Sequence, residues 1–77
     1  MCVDLIVKTV IKDNMGLTEL PLSTDTIKSL GADSLDEVEI IMNIEHELDI
    51  EIDDDVLWDL RNIGELAEEA ERLVKLS

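Results

Sequence analysis

A serine with acidic residues on both sides is the feature of this sequence that most clearly suggests chemistry. Ser34 lies in the stretch "LGADSLDEVEI", where we predict the first turn of a helix. Ser34 followed by Glu37 fits the spacing of a capping box, and Asp33 followed by Asp36 fits it one residue earlier. The same helix start suits a phosphate, because its backbone N–H groups are unpaired and its dipole end is positive. Local sequence therefore leaves two roles for Ser34, a helix cap or the attachment point of a phosphodiester.

Catalysis by the chain itself is not expected. The sequence contains no elbow motif and no histidine in register with Ser34, so a serine hydrolase is not indicated. The single histidine, His46, has no nucleophile near it in sequence. The single cysteine, Cys2, has no partner for a disulfide and no base to activate it. We expect Ser34 to be modified rather than to attack, and the protein not to be an enzyme.

A metal site is also not expected. The stretch "DIEIDDD" from Asp49 to Asp55 places acidic residues at alternate positions, as an EF-hand loop does. The pattern then fails, since Asp54 stands where that loop needs glycine and Leu60 where it needs a glutamate. Weak, non-selective binding of divalent ions remains compatible with such an acidic chain. A calcium-binding regulator stays as an alternative that would require a saturable, calcium-specific response.

The charge of the chain restricts its partners. The 77 residues carry a formal net charge of −14, and 12 of the 20 acidic residues lie between positions 33 and 59, where no Lys or Arg occurs. This charge disfavours nucleic acids and anionic membranes and favours basic protein surfaces. No apolar run approaches the roughly 18 residues that span a bilayer, and the first residues lack the basic start of a signal peptide. We therefore expect a cytoplasmic protein without membrane insertion.

Hydrophobic periodicity predicts one all-α domain over residues 1–77, folded as a small four-helix bundle with a mainly aliphatic core. A first helix carries Val3 and Val7 on its apolar face and stops at Gly16. A long connection over residues 17–33 follows. The later elements are a helix from Ser34 to about Leu48, a short third helix over residues 55–61, and a final helix capped by Asn62. Four apolar residues are expected to hold the connection to the core: Leu20, Leu22, Ile27 and Leu30.

The helix that begins at Ser34 carries two apolar stripes when it is drawn at about 100° per residue. One stripe has the width of an ordinary core face; it consists of Ile40, Ile41, Ile44 and Leu48. The second, which we call the outer stripe, consists of Leu35, Val38 and Met42 and is bordered by Glu39 and Glu45. An exposed apolar strip among acidic residues is typical of a docking surface for basic partners. We expect Leu35 and Met42 to be exposed, and leave Val38 open between surface and core.

The segment "LGADSLDEVEIIMNIEHELDIEI" closely resembles the prosthetic-group segment of acyl carrier proteins. The resemblance extends over nearly the whole chain. It implies that Ser34 carries covalent 4′-phosphopantetheine and that Asp33 and Leu35 complete the recognition triplet. It further implies that docking involves both acidic and apolar residues of the same helix: Asp36, Glu39 and Glu45, together with Leu35 and Met42.

The resemblance implies a monomeric carrier whose acyl groups are held as thioesters on the arm, for fatty-acid, polyketide or related biosynthesis. Its partners would be a phosphopantetheinyl transferase and acyl-loading and acyl-processing enzymes with basic surfaces. The acyl chain could shelter beside Ile40, Ile44 and Leu48. Departures from the family pattern, Lys28 and Ser29 in place of acids and His46 where an acid is common, suggest a specialised carrier. The alternatives are a peptidyl or aminoacyl carrier, and an acidic helical adaptor in which Ser34 is only a cap.

Overall fold

The computed structural model describes residues 2–53, 55–58 and 60–76, and the regular secondary structure of these residues is helical. Three α-helices occur in the described part of the chain: α1 (Val3–Met15), α2 (Ser34–Leu48) and α3 (Ile63–Leu76). A 3-10 helix (Lys28–Leu30) precedes α2. No strand is found among the described residues, whose one β-type contact is an isolated bridge between Thr26 and Asn62. The all-α prediction is therefore confirmed, but the count of four helices is wrong.

The short third helix predicted over residues 55–61 does not form in the described part of that segment, and Asp59 lies outside the described residues. The chain makes turns instead, with the Trp58 N–H donating to Val56 O at 3.0 Å and the Leu60 N–H donating to Leu57 O at 3.1 Å. A helix this short gains too few backbone hydrogen bonds to offset its nucleation cost. Trp58 is buried within these turns, with 5% of the residue exposed.

The first helix follows its prediction. Val3, Val7 and Ile11 are buried along one face of α1. The helix ends at Gly16, which adopts the left-handed conformation at φ 68° and donates its N–H to Lys12 O. A residue without a Cβ adopts this conformation at little cost, which is why glycine commonly follows the last helical residue.

The connection between α1 and α2 is held to the core differently from the prediction. Ile27 is fully buried and Leu30 is partly buried, as expected, but Leu20 and Leu22 are exposed and Pro21 is buried in their place. A turn closed by the Leu22 N–H donating to Asp25 Oδ2 at 2.9 Å directs the Leu22 side chain outward. The turn is in contact with the start of α3, because the Ile63 N–H donates to Asp25 O at 2.8 Å.

The last helix begins with the predicted cap and buries an apolar stripe. The Glu65 N–H donates to Asn62 Oδ1 at 2.8 Å, while the Glu65 carboxylate accepts from Arg61 at 3.2 Å. Further along, Arg72 donates two hydrogen bonds of 2.8 Å to Glu69, and this pairing lowers the pKa of the Glu69 carboxyl. Four positions of the apolar stripe are buried against the other helices: Ile63, Leu66, Ala67 and Ala70.

Candidate functional site

The residue that caps α2 is Asp33 and not Ser34. The Asp36 N–H donates to Asp33 Oδ1 at 2.9 Å, and the Asp33 N–H donates to Asp36 Oδ2 at 3.2 Å. These two bonds complete a reciprocal capping box one residue before Ser34. Of the two capping arrangements that the sequence allowed, the structure selects the earlier one. Ser34 is then the first helical residue, and its hydroxyl is not part of the capping box.

Ser34 is exposed at the N-terminus of α2. In the segment that leads into α2, around the 3-10 helix, the Thr26 N–H donates to Ser29 Oγ and the Ser29 N–H donates to Thr26 Oγ1, each at 3.0 Å. Gly31 then reverses the chain at φ 93°. The arrangement holds the serine on a rigid helix end while leaving its hydroxyl open to a large reactant. No histidine is near enough to act as a base, because His46 lies twelve residues further on, about 18 Å along the helix axis.

The two stripes of α2 face in different directions, as predicted. Ile40, Ile41 and Ile44 are buried and Leu48 is partly buried. The outer stripe is exposed along its whole length, with Leu35 at 67%, Val38 at 51% and Met42 at 60%. The position left open, Val38, therefore belongs to the surface. Exposing three large apolar side chains in one row to water is unfavourable. Such a patch is typical of a binding surface.

The acidic residues beside the outer stripe differ in how accessible their carboxylates are to a partner. Glu39 is exposed. Asp36 is half-buried and forms part of the capping box that the sequence spacing allowed, so its carboxylate has a structural role in addition to the docking role expected of it. Glu45 is half-buried, and its Oε2 accepts the Ile52 N–H at 2.7 Å, which ties the loop after α2 to the helix. Among these three carboxylates, Glu39 is thus the one most available to a partner.

A cleft of about 340 Å³ lies beside the outer stripe, between α2 and the turns that follow residue 53. Its walls are contributed by residues of both segments: Glu37, Val38, Ile41, Met42, Glu45, Asp53, Val56 and Trp58. Ile40 and Ile44, which were expected to shelter an acyl chain, are fully buried in the core and do not line it. Sequence reasoning missed Trp58 here. The available signal was a lone aromatic residue within an acidic segment.

Within the described residues, no group of three or more His, Cys, Asp or Glu side chains is arranged to hold a metal ion. No helix in that part of the chain is long and apolar enough to cross a membrane.

Comparison with known proteins identifies what the chain is similar to. Residues 6–70 match the family described as "Phosphopantetheine attachment site". The chain is 38% identical over 64 residues to an acyl carrier protein of Trieres chinensis, with 80% of each chain covered. It is 42% identical over 62 residues to an acyl carrier protein of Clostridium acetobutylicum, with 78% of this chain and 80% of the relative covered. It is also 44% identical over 62 residues to a mitochondrial acyl carrier protein of Saccharomyces cerevisiae, with 78% of this chain and 50% of the relative covered.

Proposed function

Because this chain belongs to the acyl carrier protein family, we propose that Ser34 bears the family's 4′-phosphopantetheine arm and that the adjacent surface of α2 receives partner enzymes. The protein is a carrier of acyl groups and not an enzyme. When bound, the arm supplies a thiol on which acyl groups are carried as thioesters.

The observation that carries the proposal for Ser34 is the capping box. Asp33 and Asp36 form both hydrogen bonds of the capping box, so the serine hydroxyl is not needed for it. An exposed hydroxyl on the first helical residue can accept a phosphodiester, whose charge is then stabilised by the positive end of the helix dipole. Asp33 positions the serine through the cap. Leu35, the next residue, is exposed where a modifying enzyme would bind.

The outer stripe supports a docking surface on α2. Leu35 and Met42 offer apolar contact area, and a Met side chain adapts to partners of different shape. Glu39 contributes an exposed negative charge beside them, while Asp36 and Glu45 add charge that is held in place by backbone hydrogen bonds. A surface of this kind attracts basic partners over a distance and buries apolar area on contact.

The proposed partners are a phosphopantetheinyl transferase and the acyl-loading and acyl-processing enzymes of fatty-acid, polyketide or related biosynthesis. We propose that the carrier meets them as a monomer. A cytoplasmic location stays a prediction, because the relatives include a protein named as mitochondrial and one of Spinacia oleracea named as chloroplastic.

The two alternatives differ in their support. The adaptor hypothesis explained Ser34 as a helix cap; because Asp33 is the capping residue, that hypothesis is left without an explanation for the serine, and the mass measurement below separates it from a carrier. A peptidyl or aminoacyl carrier would share the arm and differ in cargo. The relatives described above are named as acyl carrier proteins, which favours acyl cargo.

Intact-mass measurement tests the attachment site. The chain is incubated with coenzyme A and a phosphopantetheinyl transferase of broad specificity. The wild type and Ser23→Ala, a control at another exposed serine, should each gain the mass of one phosphopantetheine. Ser34→Ala should gain none. Modification of Ser34→Ala, or an unmodified wild type, would overturn the assignment.

Charge reversal tests the docking surface with the same transferase. Glu39→Lys should slow loading several-fold at low salt and flatten its dependence on salt concentration, because the reversed charge repels a basic partner. The matched control is Glu19→Lys, which makes the same change in net charge at an exposed position of the connection. Equal slowing in both variants would indicate a general charge effect and would count against a docking surface on α2.

A further inference from the structure

Lys28 is the one Lys or Arg between positions 13 and 60 of the sequence, and neither the attachment site nor the docking surface on α2 accounts for it. The residue is exposed, and its ammonium makes no ion pair with any described residue. Every other exposed Lys or Arg of the chain pairs with a carboxylate three or four residues away: Arg61 with Glu65, Arg72 with Glu69, and Lys75 with Glu71. The charge of Lys28 is therefore available to another molecule.

The surroundings of Lys28 explain why its ammonium is unpaired. The only acidic residue within four positions of it in the sequence is Asp25. Asp25 Oδ2 accepts the Leu22 N–H at 2.9 Å, which holds that carboxylate in its own turn. The Ser29 hydroxyl is engaged as well, because it donates to Thr26 O at 2.7 Å and accepts the Thr26 N–H at 3.0 Å. Both neighbouring polar side chains thus serve the backbone, and neither contacts the ammonium.

The backbone that carries Lys28 is fixed in place. Ile27, the residue before it, is fully buried in the core. Lys28 O accepts the Gly31 N–H at 3.0 Å, which closes the 3-10 helix, and the Thr26–Ser29 hydrogen bonds hold the other side of the same turn. A charge on a fixed backbone loses only the freedom of its own side chain when it pairs with a partner.

Lys28 lies close enough to Ser34 to be covered by an enzyme that acts on the serine. The 3-10 helix rises about 2 Å per residue, and the three residues after it span at most about 11 Å, so the two Cα atoms are no more than about 17 Å apart. A standard protein interface covers roughly 800 Å² on each partner, a patch about 30 Å across. An enzyme that reaches the Ser34 hydroxyl therefore meets α2 on one side of the serine and the 3-10 helix on the other.

We propose that Lys28 is a specificity-determining residue for the enzyme that modifies Ser34, and that its ammonium pairs with a carboxylate of this phosphopantetheinyl transferase while Glu39 faces a basic group. This inference rests on the proposed function, because it requires transfer of the arm to Ser34. A transferase whose surface is basic on both sides of the serine is repelled at Lys28, whereas one with an acidic residue there is attracted. The carrier thus selects by repulsion as well as by attraction.

The sign of a charge effect tests the pairing. The chain is loaded from coenzyme A by the transferase of its own host, and kcat and KM for the carrier are measured by intact mass. Lys28→Glu should lower kcat/KM by roughly three- to tenfold at low salt, mainly through KM, and the loss should shrink in high salt. Lys28→Arg, which keeps the charge, should load like the wild type.

The matched control is Lys75→Glu, which makes the same change in net charge at an exposed position near the end of α3. It should load as fast as the wild type or faster, because a more negative chain attracts the basic part of the enzyme. Unfolding midpoints of the unloaded variants should match the wild type. If Lys28→Glu is destabilised, Lys28→Met replaces it and should show a smaller loss of the same kind.

A charge swap identifies the partner of Lys28. Acidic residues on the carrier-facing surface of the transferase are replaced by Lys one at a time, and one replacement should restore the loading of Lys28→Glu while slowing that of the wild type. Equal rates for Lys28→Glu and Lys75→Glu, or a loss that no replacement recovers, would overturn the inference and leave the attachment site intact. A wild-type chain that gains no mass at Ser34 would overturn the proposed function itself.

Discussion

The capping box at the start of α2 allows the structural and functional roles of the serine motif to be separated. Asp33 makes the cap through its Oδ1, 2.9 Å from the Asp36 nitrogen. Removing such a cap costs about 1 kcal/mol of the free energy of unfolding, within a range of about 0.5–2. For a domain of this size a loss of about 1 kcal/mol lowers the midpoint by roughly 4–8 °C. Asp33→Ala should therefore be measurably destabilised, whereas Ser34→Ala should stay within about 0.5 kcal/mol of the wild type.

The assay is thermal and urea unfolding of the unmodified proteins, followed by far-UV circular dichroism, with intact mass confirming that no arm is attached. Asp33→Asn is the matched control, because asparagine caps about as well as aspartate but carries no charge. It should retain most of the stability, and in a chain of net charge −14 the lost charge also relieves some repulsion. A Ser34→Ala variant that loses as much stability as Asp33→Ala would refute the reasoning, because the serine would then be the cap.

Three further predictions concern the packing of α2, the end of α1 and the net charge of the chain. Ile44→Val, at a fully buried position, should cost about 0.5–1.5 kcal/mol in urea unfolding, whereas Met42→Ala on the exposed stripe should cost no more than about 0.5 kcal/mol; equal losses would mean that the stripe is packed. Gly16→Ala should lower stability by about 1 kcal/mol, since φ is 68° there, and an unchanged midpoint would contradict this. Added sodium chloride should raise the midpoint of the wild type by screening its negative charge, and a flat salt profile would refute that expectation.

The sequence determined the helices with strong local signals. Gly16 ended α1, the period of isoleucines gave α2 its buried face, and Asn62 marked the start of α3. These features depend on contacts between residues a few positions apart, which the sequence displays directly. The serine motif, the acidic field and the outer stripe of α2 could be recognised for the same reason. The family was likewise suggested by residues contiguous in the chain.

Other features were decided only by the tertiary structure. They depend on contacts between residues that are distant in sequence, or on a choice between two local patterns that the sequence supports equally. Two capping boxes were compatible with the sequence, and the structure forms the one that begins at Asp33. In the described part of residues 55–61, turns around a buried Trp58 take the place of a predicted helix, because so short a helix gains too few backbone hydrogen bonds to offset its nucleation cost. Leu22 faced solvent because its turn is held by the start of α3. Periodicity describes one element at a time, so it could not predict a cleft whose walls come from α2 and from the segment around Trp58.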